Sequence, residues 1–227
     1  MKKGITIAIV ALVVIGVGIY LFKISPEQLA STDSGYNAAL DTSNIKPIST
    51  PPAFDKTIDH YQGNPDAKNV FIEYGDLECP YCAAYSDMLK QVPTQFPDTV
   101  FVFRYFPLTQ IHQNSVESAL AAEAANAQGK FWEMHDILFQ KQTDWENLTD
   151  PLDTFTQYAQ QAGVADTNQF KSDITSKKYL AKIQTDSNEA LGLNLQGTPT
   201  YFFNGHLIQD ATTIQGLEQE AQPYLNK

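Results

Sequence analysis

The chain has 227 residues and a formal net charge of −11, enough for one buried core of ordinary size but not for two independent enzymes. Three of its 15 basic residues fall in the first 23 positions, which contain no acid, so the remainder sets 12 basic against 26 acidic residues. A surface this acidic repels phosphate backbones and offers no basic stripe, which argues against nucleic-acid binding.

Met1, Lys2 and Lys3 precede 19 uncharged residues, Gly4 to Phe22. A helix needs about 20 apolar residues to cross the hydrocarbon core, so this stretch reads as a transmembrane anchor. A cleaved signal peptide is the competing reading, but the apolar run is long for one and no Ala-x-Ala site follows Lys23. The paired lysines orient the anchor with its N-terminus cytoplasmic, leaving everything after Lys23 outside. From Ile24 to about Lys56 the composition turns to Ser, Thr, Pro, Gln and Asn, which reads as a flexible linker. The expected organisation is an anchor over 1–23, a linker over 24–56 and one folded domain over 57–227.

The folded part opens with NVFIEYGD, residues 69–76, a β-rich run ending at a glycine, and passes directly into CPYCAAYSDMLKQV, which reads as a helix. VFVFRYF, residues 100–106, is the next strand, so strand, helix and strand predict a parallel crossover unit. Helices then occupy about 113–193. Asn114 and Glu117 stand at capping-box spacing, Gly129 is a stop, and Phe131, Met134 and Leu138 share a face. Asp150 reads as a cap with Pro151 at the first helical position, leading Leu152, Phe155, Ala159 and Ala162. Two further helices are led by Phe170 and Ile174, then by Leu180, Ile183, Ser187 and Leu191. Strands resume in TPTYFFNGHLI, where Asn204-Gly205 signals a hairpin. A last helix spans about Thr212 to Asn226, with Ile214, Leu217, Ala221 and Leu225 on one face.

The two cysteines, Cys79 and Cys82, are the only ones in the chain. A strand ending at Glu78 and a helix beginning with Pro80 put Cys79 at the N-cap, where free N–H groups and the positive end of the dipole favour a thiolate. Cys82 then lies beneath it, within bridging distance. Tyr81 supplies no positive charge, so the lowering of the Cys79 pKa is expected to be moderate. Glu73, an acid inside an apolar strand, is either turned to solvent or buried under the helix. If buried, its raised pKa suits it to relay the Cys82 proton. Glu78 reads as exposed. Pro199, in QGTPT, marks a strand start, an edge or a cis turn.

These segments resemble the DsbA-like thiol-disulfide oxidoreductases of the thioredoxin superfamily, in particular their membrane-anchored bacterial branch. The resemblance runs from DHYQGNPDAKNVFIEYGDLECPYC through VFVFRYFPL with the following QIH and ALAAEAANAQGKFWEMHDILF to LGLNLQGTPTYFFNGHLI, about Asp59 to Lys227. It implies an α/β thioredoxin-like fold with an inserted helical domain. It implies Cys79 as the attacking cysteine and Cys82 as the resolving one, the two forming a redox-active disulfide. It implies a cis Pro199 facing them, Thr198 in contact with the substrate chain, and a buried Glu73; Pro80 and Tyr81, between the cysteines, are expected to bind substrate as well. The Pro-Tyr pair between the cysteines departs from the Pro-His of strong oxidases, which bears on the redox poise and not on the chemistry.

Two plainer readings compete. Zinc needs about four ligands, and His60, His112, His135 and His206 are scattered with none at ligand spacing to another. Of these, His112, in the loop after a strand, is the one worth mutating. A structural disulfide across so short a loop removes little chain entropy. The expectation is therefore an extracytoplasmic enzyme without cofactor or resident metal that donates its disulfide to reduced or misfolded exported proteins and is reoxidised by a membrane, quinone-linked partner. The alternatives are a reductase or isomerase fed by a membrane electron donor, and outside enzymes a thiol-based metal-binding or partner-binding module.

Overall fold

The computed structural model describes residues 10–15, 18–23, 40–96, 98–209 and 211–226. In the N-terminal part, Val10–Ile15 (β1) and Gly18–Lys23 (β2) pair as antiparallel strands, with Val10 opposite Lys23 and Ile15 opposite Gly18. The helix expected over Gly4–Phe22 is thus not formed in its described portion, and no helix among the described residues is long and apolar enough to cross a membrane. The rest of the expected anchor, and residues 24–39 of the expected linker, lie outside the described residues.

The C-terminal part is built on a five-stranded sheet in the order β3 (His60–Gln62), β5 (Thr99–Tyr105), β4 (Asn69–Gly75), β6 (Thr200–Phe203), β7 (His206–Ile208). β4 and β5 are parallel, with Glu73 opposite Phe103 and Gly75 opposite Tyr105. Helices α1 (Pro80–Leu89) and α2 (Val92–Gln95) make the crossover between them, as the apolar runs predict. The other pairs are antiparallel. The hairpin turn falls on Asn204 and Gly205, both at positive φ (+47° and +81°), which is why that dipeptide is so strong a signal.

Alternation along β4 sorts the core. Phe71 faces Leu89 and Val92 of the crossover and Leu217 and Ala221 of α9 (Ile214–Ala221). Ile72 and Tyr74 face the opposite side with Ala190. The helical insertion runs through α3 (Ser115–Asn126), α4 (Phe131–Gln140), α5 (Gln142–Trp145), α6 (Leu152–Gln161), α7 (Thr167–Thr175) and α8 (Leu180–Gly192). It carries its own cluster, including Leu120, Met134, Trp145, Phe155 and Phe170, which is continuous with Phe103, Tyr105 and both cysteines. The site therefore lies at the seam between sheet and insertion.

Several local readings shift. Asn114 stands at the N-cap of α3 but makes no side-chain cap bond; its side-chain NH2 instead donates to the carbonyls of Trp145, Glu146 and Leu148, so the side chain is oriented by the turn after α5 rather than by the helix end. Asp150 does bond the first turn of α6, accepting from Leu152 N–H at 3.0 Å, although the helix begins at Leu152. The described end of the expected linker, 40–56, has no helix or strand but does not float free. Ile48 N–H donates to Gly192 O at 2.9 Å, and Arg104 donates to the carbonyls of Pro52 and Ala53.

Candidate active site

β4 ends at Gly75, and a tight turn of Asp76, Leu77 and Glu78 delivers Cys79 to the start of α1. Cys79 is the N-cap, in extended conformation (φ −74°, ψ 122°), and Pro80 occupies the first helical turn, where its missing N–H removes nothing. Gly75 is required here: a Cβ on it would stand 2.5 Å from the Phe103 ring and 3.1 Å from Glu73 Oε1. Cys79 and Cys82 are free thiols, both buried.

The two sulfurs sit in opposite electrostatic settings. A hydrogen bond from the Cys82 thiol, aided by the Thr198 hydroxyl and by the N–H groups of Cys82 and Tyr81, outweighs burial and lowers the Cys79 pKa to about 6. Cys82 is pushed well above the ordinary thiol value by burial first, then by its bond to Cys79 and by the charges of Glu73 and Cys79. One member of the pair is thus a thiolate near neutrality and the other stays protonated.

The expected neighbours assemble around them. The Thr198–Pro199 peptide bond is cis, and the Cys79 thiol donates to Thr198 O at 3.3 Å. Glu73 is buried beneath the helix, and burial, reinforced by the Cys79 charge and opposed by a hydrogen bond with Cys82, raises its pKa to about 8. Pro80 and Tyr81 are exposed, Tyr81 at 66 %. Tyr81 and Tyr85 form one wall of a groove of about 710 Å³ whose other side is Pro199, Tyr201, Leu195 and Leu207.

Glu78 is a correction. It is buried, accepts the Asn114 N–H at 2.6 Å, and burial lifts its pKa to about 7. An acid beside a cysteine in a turn gives no pattern signal for burial; the cause is the insertion, which closes over that turn. The sequence also gave no notice of Asp76, whose carboxylate accepts from Glu78 N–H (2.8 Å), Leu108 N–H (2.8 Å) and His112 Nδ1 (2.7 Å), or of Gln142, which donates to the carbonyls of Leu77 and Cys79. Among the described residues no cluster of His, Cys, Asp and Glu is grouped to hold a metal ion.

A sheet with a helical insertion, bearing a cysteine pair at a helix N-terminus against a cis-proline loop, defines a thioredoxin-fold protein. The chain belongs to the thioredoxin family whose model, described as Thioredoxin, matches residues 55–220. Its fold is similar to that of oxidised BdbD from Bacillus subtilis (TM-score 0.67, 23% identity, covering 79% of this chain and 98% of that one). It is also similar to the catalytic domain of ScsC from Proteus mirabilis (TM-score 0.60, 23% identity, 77% and 93%). In sequence it is 39% identical over 156 residues to a Na(+)/H(+) antiporter NhaA 1 of Mycolicibacterium gilvum and 31% identical over 172 residues to a Na(+)/H(+) antiporter NhaA of Herminiimonas arsenicoxydans. These alignments cover 66% and 74% of this chain but 24% and 26% of those proteins. The chain spans about a quarter of the length of the curated relatives it matches, and the ion transport in their names is a statement about those longer proteins.

Proposed function

We propose that the chain is an extracytoplasmic disulfide donor, held at a bacterial membrane by Gly4–Phe22, that oxidises exported proteins through a Cys79–Cys82 disulfide. A substrate thiolate attacks Cys79 Sγ; the Cys79–Cys82 bond breaks, a mixed disulfide forms, and Cys82 leaves with the electron pair. Cys82 takes up a proton, for which Glu73 is the adjacent source, being protonated near neutrality. A second substrate thiolate then attacks the substrate sulfur of the mixed disulfide and releases Cys79 as a thiolate. The substrate loses two electrons and two protons, and the enzyme's pair is reduced. A membrane partner, quinone-linked on this reading, restores the disulfide.

The observation that carries the proposal is the asymmetry of the pair. A leaving group with a low pKa leaves fast, so Cys79 is the sulfur through which mixed disulfides form and resolve, and stabilising the reduced form makes the couple more oxidising. Thr198 and Pro199, with Pro80 and Tyr81 on the facing side, are positioned to hold an extended substrate segment along the groove.

The test is the reduction potential of the couple in the full chain, equilibrated with glutathione buffers. A value near or above about −150 mV supports a donor, since about 30 mV corresponds to about 1.4 kcal/mol for this two-electron couple. A value near about −250 mV or below sinks the donor reading and favours a reductase or isomerase fed from the membrane. The uncharged Tyr81 between the cysteines is the feature that favours that second reading.

A further inference from the structure

The residue between the cysteines that faces outward, Tyr81, brings no charge to the Cys79 thiolate; the acids around this turn are Glu73 beneath it and Asp76 and Glu78 within it, with Glu146 acting on Glu78. His112 is the base in this group. It lies half-buried in the loop after β5, and its Nδ1–H donates to Asp76 Oδ2 at 2.7 Å. Asp76 has no exposed side-chain surface. The same residue accepts the Cys79 N–H on its main-chain oxygen at 3.0 Å and the Leu108 N–H on its carboxylate. It therefore clamps the loop that carries His112 to the turn that carries Cys79. A carboxylate enclosed in this way is costly to bury without a cation or several donors, and here it has both.

We propose that His112 is a positioning residue for the Cys79 thiolate: its imidazolium, fixed by Asp76, supplies the positive charge that the Cys-Pro-Tyr-Cys sequence lacks. The inference rests on the reading of Cys79 as the attacking thiol. The hydrogen bond to Asp76 is the first cause holding the His112 pKa above its usual value, burial opposes it, and the charges of Asp76, Glu78 and Cys79 add to it. Coupling is reciprocal, so a Cys79 charge that favours protonated His112 is itself favoured by that proton. Glu78 works against the pair once it ionises, because it sits on the same turn and Asp76, Glu146 and His112 all act on it.

The experiment is a pH titration of the reduced full chain in detergent, followed by ultraviolet thiolate absorbance, for the wild type, His112→Gln and His112→Lys. His112→Gln, which keeps hydrogen-bonding capacity without charge, raises the Cys79 midpoint by about one unit, the ordinary effect of a nearby opposite charge, which is about tenfold less thiolate on the acid side. His112→Lys returns the midpoint most of the way. An unchanged midpoint in His112→Gln overturns the inference, and so does an equal shift in both variants, which would assign His112 a purely structural role. If His112→Gln does not fold, the imidazole of His112 is titrated by NMR in the reduced and oxidised wild type; its pKa falls on oxidation, and equal values in both forms overturn the inference. A wild-type Cys79 that shows no lowered titration defeats the reading of the nucleophile itself, an outcome distinct from failure at His112.

Discussion

The Cys79 thiol donates to the main-chain oxygen of Thr198 across 3.3 Å, bringing a helix N-terminus and the loop before β6 together around one sulfur. With Cys82 behind it and the Thr198 hydroxyl beside it, Cys79 is held to a pKa of about 6. Alkylation of the reduced protein is therefore expected to follow one titration with a midpoint near 6 and to stop after one equivalent at neutral pH, since Cys82 is buried and protonated. Rates of iodoacetamide labelling against pH check this. A midpoint near the ordinary thiol value of about 8.5 would remove the basis for assigning the first attack to Cys79.

Replacing either cysteine separates their roles. Cys82→Ser is expected to accumulate mixed disulfides with thiol substrates, because nothing remains behind Cys79 to displace them, whereas Cys79→Ser forms none. Non-reducing electrophoresis after mixing each reduced variant with a disulfide-bonded protein reads the difference, since a Cys79 thiolate attacks that disulfide and one substrate sulfur leaves as a thiol. Trapping by Cys79→Ser instead would reverse the assignment.

The parts of this site legible in the sequence are those set by local rules. The strand that stops at Gly75, Pro80 in the first turn and the Asn204-Gly205 hairpin each follow from a backbone preference, and the structure has all three. Glu73 was ambiguous by pattern because one acid in an apolar strand fits either face; the resemblance, not the periodicity, pointed inward. Asp76, Glu78 and Gln142 were illegible for a different reason. Their partners are Leu108, His112, Asn114, Leu77 and Cys79, mostly 30 or more residues away, and no local spacing encodes contacts made when the helical insertion closes over the turn.

Glu73 makes stability depend on pH. Its folded pKa of about 8 lies above the ordinary carboxyl value of 4.5, so the folded state holds a proton that the unfolded state gives up. The stability this contributes is full below about 4.5 and is lost as pH rises through about 8. Glu73→Gln, which cannot ionise, is expected to flatten the decline. Between pH 5 and pH 8 the wild type should lose roughly 2–4 kcal/mol more than the variant, given about 1.4 kcal/mol per unit. Urea unfolding at the two pH values measures it; parallel declines would mean that Glu73 is not the buried acid. The same variant should slow formation of the mixed disulfide from the oxidised protein, because the departing Cys82 loses its adjacent proton donor.

Arg104 and Asp59 form a buried bidentate pair, Nε to Oδ1 and Nη2 to Oδ2, both at 2.9 Å. Arg104 also bonds Tyr74, Glu189 and the carbonyls of Pro52 and Ala53. Removing one partner leaves the other charged and enclosed, so Asp59→Ala is expected to cost about 3–5 kcal/mol. Arg104→Met with Asp59→Ala should cost less than the sum of the two single changes. A double-mutant cycle in urea tests this, and strict additivity would show that the pair carries no coupling.

Gly192 tests whether the stretch before β3 belongs to the folded unit. It closes α8, and its carbonyl accepts the Ile48 N–H at 2.9 Å. A Cβ added there would stand 2.5 Å from Lys46 O and 3.4 Å from Ile48 Cγ1. The first of these is main chain, which cannot swing aside as a side-chain tip could. Gly192→Ala must therefore push residues 46–48 off the helix and break the Ile48 bond, at a cost of about 1–3 kcal/mol for overpacking. A few tenths to about 1 kcal/mol is regained, because alanine is the better helix residue. Hydrogen exchange at the Ile48 amide is the direct readout: protected in the wild type, fast in the variant. Fast exchange in the wild type would return 40–56 to the role of a free tether and place the start of the folded unit nearer β3.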